Sequence, residues 1–358
     1  MRQINALVTS VGGIVAQGII KSLKHHNKYS KNRTYEYNIY GTDIIFDSAG
    51  LFRADRFSII NKPKSEDYVD SIINLCSKNN IDIVFVGSDQ ELPKISINKK
   101  LIENDAPAKV LINPHGVIET FRDKYKTFEF LKENNLNYIP SCLDTEYDGF
   151  TKEYGFPLIV KPCEGSGSKL LFVVNDNDEL DYAVSSIKKI GGRPLIQKYL
   201  KNDDQEFTTG ITLSKNEKHI MSSIVIKKIL KHGQTYKAII DKFPEIKKVS
   251  EDVARKIGGI GALNIQLRID EDDNNAKIIE INPRFSASCP MRTVAGINEP
   301  DIVARNTIFD EYVKITDYQS LLCLRYWNES YLDLGKFNEM KSSKHNIKEL
   351  KSSIIDYF

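Results

Sequence analysis

At 358 residues the chain is too long for one compact core, so two or three domains or subdomains are expected. Its 41% hydrophobic and 27% charged residues are those of a soluble globular protein, and a net charge of +2 with scattered basic residues argues against nucleic acid or a membrane surface as partner. Five dispersed cysteines without a C-x-x-C pair argue against a disulfide framework or a zinc site; the N-terminal apolar run is broken by Gly12, Gly13 and Gln17, and no stretch approaches a membrane span, so a reducing, cytoplasmic setting is expected.

Residues 4–9 read as a buried strand, 10–13 as a tight turn and 14–24 as a helix. A strand over 38–41 leads into Thr42 and Asp43. A helix over 68–77 and a strand over 81–86 follow, ending at Gly87, Ser88 and Asp89. This alternation predicts a parallel, doubly wound sheet. Ligands bind beyond the carboxyl ends of such strands, where 11–13, Asp43 and 88–91 fall. The spacing Gly12-Gly13 then Gly18 is a poor dinucleotide fingerprint, although Asp43 could be cast as a ribose ligand. A turn that needs glycine only for backbone geometry is the competing account.

Residues 111–114 mark a boundary. Helical sequence over 117–134 carries Asp123-Lys124. A strand over 156–161 ends at Lys161-Pro162, and 170–174 resumes a strand after the loop Cys163-Glu164-Gly165-Ser166-Gly167-Ser168-Lys169. The small residues of that loop suit a flexible hairpin whose backbone amides close over phosphates. It lacks Walker A spacing, and a surface turn is the plainer alternative. Lys161 is a point charge one strand end away. A helix over 179–190, strands over 195–200, 207–213 and 219–228, and a helix over 243–257 follow.

Residues 261–268 and 278–284 read as two strands of a hairpin, turned by the acids and amides of 270–275. Side chains two apart share a face, so Asn264 lies beside Gln266, and Glu280 beside Asn282. Oxygen donors suit magnesium, which keeps several waters and binds phosphate along with one or two carboxylates. Arg284 follows on the same face, within reach of a phosphoryl oxygen. Arg292, in the segment after the hairpin, could bind a carboxylate. Beyond 315 the pattern weakens, and 338–352 is lysine-rich.

Taken together, Lys124, Lys161, Gln266, Glu280, Asn282 and Arg284 resemble the ATP-grasp superfamily, and within it one synthetase unit of the carbamoyl-phosphate synthetase large subunit. The resemblance covers roughly 1–310. It implies an α/β and α+β chain: a Rossmann-like domain over 1–113, a lid subdomain over 114–196, a larger subdomain over 197–315 and an appendage over 316–358. By resemblance, Lys124 and Lys161 bind ATP phosphates under the loop Gly165, Ser166, Gly167 and Ser168. Gln197, Lys198, Tyr199 and Leu200 form the adenine hinge, and Glu206 takes the ribose or a nearby metal. Gln266, Glu280 and Asn282 hold Mg2+, with Mn2+ as an alternative. Lys161, Asn264 and Arg284 act on the transferring phosphoryl group.

The implied reaction is carboxylate–amine ligation through an acyl phosphate, releasing ADP and phosphate. Its partners are small-molecule carboxylates and amines, with no nucleic acid and no membrane. A homodimer is common in such enzymes, and the sequence is silent on it. Lys227, Lys228, Lys231 and 232–235 occupy a substrate-contacting stretch but depart from the synthetase pattern. No second synthetase unit, allosteric domain or glutaminase accompanies these motifs, so a stand-alone ligase is expected rather than carbamoyl phosphate formation. Three alternatives stay open: an NAD(P)-binding oxidoreductase, a nucleotide-binding module without catalysis, and a kinase that stops at a phosphorylated product.

Overall fold

The apolar runs before residue 113 each build one strand of a parallel sheet. A computed structural model describes residues 1–165, 170–201, 204–216, 219–231, 234–326, 328–343 and 352–354. β1 (Arg2–Val8) lies centrally, with Ile4, Ala6, Leu7 and Val8 wholly buried, as a strand covered on both faces requires. α1 (Ile14–Tyr29) leaves the turn at 10–13 and buries Ala16, Ile19, Ile20 and Leu23. β2 (Tyr35–Asp43), β3 (Arg56–Ile59), α2 (Tyr68–Lys78), β4 (Ile83–Phe85), α3 (Leu92–Ile97), α4 (Lys99–Asp105) and β5 (Lys109–Leu111) follow.

Strand order is β3-β2-β1-β4-β5, all neighbours parallel, with apolar clusters on both faces. The doubly wound expectation holds. β3, α3, α4 and β5 escaped sequence reading because such short runs carry too little periodicity. The boundary expected at 111–114 is a joint. There Asn113 donates from Nδ2 to the carbonyls of Ala262 (2.9 Å) and Pro283 (3.0 Å), and its Oδ1 accepts from the Ile260 amide (2.9 Å).

α5 (His115–Arg122), α6 (Lys124–Glu133), β6 (Ser141–Leu143), α7 (Tyr147–Tyr154), β7 (Leu158–Pro162), β8 (Phe172–Val174), α8 (Asn177–Lys189) and β9 (Pro194–Lys198) come next. The strands form an antiparallel sheet in the order β6-β9-β7-β8. Leu180, Ala183, Val184 and Ile187 of α8 pack on Leu158, Val160, Val174 and Ile196. The division drawn at 196/197 falls inside β9, which pairs with β7 as far as Lys198.

β10 (Glu206–Leu213), β11 (Ile220–Lys231), β12 (Gln234–Ile240), α9 (Pro244–Ile257), β13 (Gly261–Ile269), β14 (Ala276–Asn282), α10 (Cys289–Val294), α11 (Glu299–Ile308), β15 (Leu321–Leu324) and α12 (Leu334–Ser343) complete the described elements. Six strands lie in the order β14-β13-β10-β11-β12-β15. β15 begins the segment expected as an appendage, yet it extends this sheet by pairing with β12. Gly258, at φ +65, ends α9 in the left-handed conformation that favours glycine.

Alternation along the strands divides the sheet's two faces. Phe207, Ile211, Leu263 and Ile265 meet Ile246, Val253 and Ala254 of α9. The opposite face carries Glu206, Thr208, Asn264, Gln266, Arg268, Glu280 and Asn282. Register sets Glu206 across from Arg268, Thr208 from Gln266, Gln266 from Glu280, and Asn264 from Asn282. α10 and α11 bring Arg292 and Glu299 over Gly210, where a Cβ would stand 1.9 Å from Glu299 Oε1 and 2.2 Å from Arg292 Nη1. Arg292 is wholly buried. It faces Glu299 at 3.2 Å and donates to Thr208 Oγ1 (3.1 Å) and Asn264 Oδ1 (2.9 Å).

Removing one partner of a buried ion pair leaves an uncompensated charge. Glu299→Ala is expected to cost about 3–5 kcal/mol in urea denaturation, and the double variant Arg292→Met/Glu299→Leu much less. Equal losses in both would show that charge does not set the cost.

Candidate functional site

Asp123 caps α6, its Oδ1 accepting from the Tyr125 (2.8 Å) and Lys126 (3.1 Å) amides, and this fixes Lys124 at the helix start. The Lys124 amide donates to the Cys163 carbonyl at 2.8 Å, and its Nζ to the Gly165 carbonyl at 2.8 Å. The remaining expected loop residues, Ser166, Gly167 and Ser168, lie outside the described residues. On β7, Leu158 and Val160 point to α8, so Lys161 points away from it, into reach of Lys124 and Glu280. Lys161 is buried, and its one hydrogen bond among the described residues goes to the neutral Gln197 Oε1 at 2.8 Å. Burial, then Lys124, push its pKa down to about 8.

Two contacts join the antiparallel sheets beside this cation. Lys198 Nζ meets Asp270 (3.2 Å) and Asp272 (2.5 Å), and Arg268 Nη1 donates to the Leu200 carbonyl at 3.0 Å. The Lys198 amide donates to the Pro140 carbonyl at 3.0 Å. Gln197 spends its Nε2 on Ser141 Oγ (2.8 Å). The expected adenine hinge, with half-buried Tyr199 and buried Leu200, therefore has several of its edge groups already engaged. Glu206 is also engaged: it is buried between Lys228 and Arg268, the latter at 2.8 Å. Burial opposes its ionisation, but Lys228 and Arg268 outweigh that and hold its pKa below the ordinary value. A ribose would have to displace one of them.

Three amides line the polar face of β13 and β14. Lys228 Nζ donates to Gln266 Oε1 at 2.8 Å, and Gln266 Nε2 donates to Glu280 Oε2 at 2.9 Å. Arg284 Nη2 donates to Asn282 Oδ1 at 2.8 Å, leaving the buried Asn282 Nδ2 without a partner among the described residues. Asn264 Oδ1 accepts from Thr208 (2.7 Å) and Arg292 (2.9 Å). Glu280 offers a carboxylate that fits a hard cation. Gln266 and Asn282, expected as metal ligands beside Glu280, each accept from a cation through the amide oxygen in this arrangement. Arg292, expected to reach a substrate carboxylate, is sealed in the core with Glu299.

Arg284 carries a contact that sequence reading missed. Its Nε and Nη2 donate to the two oxygens of Asp89 at 2.5 and 2.9 Å. Burial works against the Arg284 charge, and Asp89 more than restores it, so its pKa lies above the ordinary value. The available signal was an acid at the carboxyl end of β4, though nothing in the sequence names its partner. A cavity of about 350 Å³ adjoins Arg284 and is lined also by Asn113, Lys99, Lys109, Lys215 and Asn306. Asp43, the alternative ribose ligand, has both oxygens occupied: Oδ2 by the Gly12 amide (2.6 Å) and Ser48 (2.8 Å), Oδ1 by the Ile44 amide (2.7 Å). Among the described residues, no helix is long and apolar enough to cross a membrane.

Comparison with known proteins finds two domain matches. An ATP-grasp domain matches residues 121–288, and a PylC-like N-terminal domain matches 7–109. The carbamoyl phosphate synthase large chain of Clostridium acetobutylicum is 27% identical over 254 residues, covering 64% of this chain and 22% of that protein. That of Helicobacter pylori is 24% identical over 261 residues, covering 68% of this chain and 23% of that protein. The chain thus spans under a quarter of the length of these relatives. N5-carboxyaminoimidazole synthetase from Staphylococcus aureus, complexed with ADP, superposes with a TM-score of 0.67 at 19% identity, over 96% of this chain and 85% of that one. The biotin carboxylase domain dimer of Hydrogenobacter thermophilus 2-oxoglutarate carboxylase, with MgADP, ADP and bicarbonate, gives 0.67 at 18% identity, over 88% and 71%. At these identities the two structures show a shared fold.

Proposed function

We propose that this chain, which carries an ATP-grasp domain behind a PylC-like N-terminal domain, is an ATP-dependent ligase that joins a small carboxylate to an amine. The observation that carries the reading is Lys161. It is a buried cation bonded to a neutral amide, next to a second cation, and burial with Lys124 lowers its pKa to about 8. Glu280 offsets this charge only in part, no acid hydrogen-bonds to it among the described residues, and a polyphosphate would supply the missing anion.

The residues divide the work by position. Lys161 and Lys124 neutralise the ATP phosphates. Glu280 would hold Mg2+, which offsets phosphate charge when bound. Arg284, oriented by Asp89, faces the phosphoryl group in transfer and the acyl phosphate that follows. The Asn264 Nδ2 donates to the same oxygens. The carboxylate attacks the γ-phosphorus in line, ADP leaves, and the amine then displaces phosphate from the acyl carbon. Catalysis of this kind rests on positioning and charge rather than a protein nucleophile. The cavity beside Arg284, with Lys99 and Lys109 in its wall, suits an anionic substrate.

Two expected outcomes follow from these roles. Hydroxylamine traps acyl phosphates, so pools of small carboxylates with Mg-ATP should yield ADP and a hydroxamate in one pool. Glu280→Gln and Lys161→Ala should each lower that turnover at least about a hundredfold while circular dichroism stays unchanged. Full turnover in both variants would defeat the site assignment.

The second outcome is proton uptake. Free Lys161 titrates near 8, against 10.5 in an unfolded chain. Its burial therefore weakens the fold fully below pH 8, and this loss is relieved as pH rises from 8 to 10.5. A polyanion favours the charged form. ATP binding at about pH 8.5 should take up a proton, measured by calorimetry in buffers of different ionisation heat, and Lys161→Met should abolish the uptake. Uptake unchanged in Lys161→Met would place the proton elsewhere.

A further inference from the structure

Three cations from distant parts of the chain converge where α1 meets the end of β15. Arg325, directly after β15, is half-buried. Its Nη1 donates to the Thr235 carbonyl at 3.0 Å and its Nη2 to the Ala287 carbonyl at 3.2 Å. α1 runs against the same segment, since a Cβ on Gly18 would stand 3.6 Å from the Ala287 Cα. Lys21 lies about one helical turn further along α1. Arg53 comes from the turn at 51–53, which the C-terminal segment pins through Phe52. The Phe52 carbonyl accepts from Ser352 Oγ at 3.3 Å, and its ring meets that of Phe337 at 6.4 Å. Partial burial, then Arg325 and Arg53, push the Lys21 pKa below its ordinary value. Burial does the same to Arg325.

At Glu206 and Glu299 the neighbouring cations surround a carboxylate. Here the nearby acid is spent: Asp55 is paired with Lys24 at 3.0 Å and accepts from the Ile39 amide at 2.8 Å. Neither Lys21 nor Arg53 makes a side-chain hydrogen bond or ion pair among the described residues, and Arg325 bonds only carbonyls. Like charges gathered without a counter-ion disfavour their own charged forms, and an oxyanion reverses that. Guanidinium and ammonium groups match carboxylate and phosphate oxygens. Ala287 is three residues past Arg284, about 10 Å of extended chain at most. One small substrate can therefore reach both places. On the ligase reading proposed above, we infer that Lys21, Arg53 and Arg325 form a subsite for a second oxyanion, carboxylate or phosphate, of the substrate that reacts beside Arg284. That second group is an anchor: it binds equally before and during reaction, so it sets KM rather than kcat.

The subsite is tested first without nucleotide. Lys21 of the full chain is acetylated with acetic anhydride and followed by mass spectrometry. Inorganic phosphate or succinate should slow its labelling at least about fivefold relative to sodium chloride at equal ionic strength. Exposed Lys28 should be unaffected, and the anion that protects names the source. Arg53→Met should abolish the protection. Protection by neither anion, equal protection by chloride, or full protection in Arg53→Met would overturn the subsite. In the hydroxamate assay, Lys21→Met/Arg53→Met should raise the KM of the active carboxylate at least about tenfold, with kcat and the KM of ATP unchanged. An unchanged carboxylate KM, or an active substrate with a single anionic group, would overturn the anchoring role. Lys21 protection without ADP release from any pool would instead sink the ligase reading, and the anchoring role with it, while the anion site stood.

Discussion

Asp89 and Arg284 lie 195 residues apart and meet through two parallel hydrogen bonds. The carboxylate stands at the carboxyl end of β4, and the guanidinium follows β14, an edge strand of the six-stranded sheet. A planar fork on a carboxylate fixes orientation as well as distance. The pair therefore sets where the N-terminal sheet sits relative to the polar face of β13 and β14. Asn113 reinforces the joint by tying 260–262 and Pro283 to the end of β5. The apolar core runs through it too: Ile19, Leu23 and Ile39 share one cluster with Phe285, Cys289 and Val303. Arg284 is thus oriented by a carboxylate from the N-terminal sheet.

Charge on the site face is arranged around that joint. Lys228 and Arg268 converge on one acid, Glu206, and Arg292 is matched to Glu299. Lys161 is matched to no acid by hydrogen bond among the described residues, and Lys124 holds only a carbonyl. The local excess of positive charge thus lies at β7 and α6. The paired cations build the walls and orient the amides. Burial and the neighbouring Lys124 work against the Lys161 charge.

Glycine and cysteine show the same division between scaffold and site. Gly210 sits where Arg292 and Glu299 cross β10, and any side chain there would collide with the ion pair. Cys289 is buried and donates to Glu299 at 3.2 Å, and burial followed by that carboxylate pushes its pKa upward, which keeps it a thiol. Neither residue belongs to the candidate chemistry. Both keep the Glu299–Arg292 pair in place, and through it the orientation of Asn264.

What the linear chain carried was local. Alternating polarity over 261–284 disclosed a hairpin, its turn, and the shared face of Asn264, Gln266, Glu280 and Asn282. Periodicity over the first ninety residues disclosed the parallel sheet, though strands as short as β3 and β5 left no readable period. Family resemblance located Lys124 and Lys161. Partner choice lay beyond reach, since it depends on contacts between residues far apart in the chain. Nothing along the sequence says that Arg292 turns inward to Glu299, that Asp89 grips Arg284, or that Lys228 faces Gln266 instead of solvent. Side-chain type and spacing determined which groups share a face. Only tertiary packing decided which atom of each amide faces the site, because that choice belongs to the cation brought against it from another strand, helix or turn.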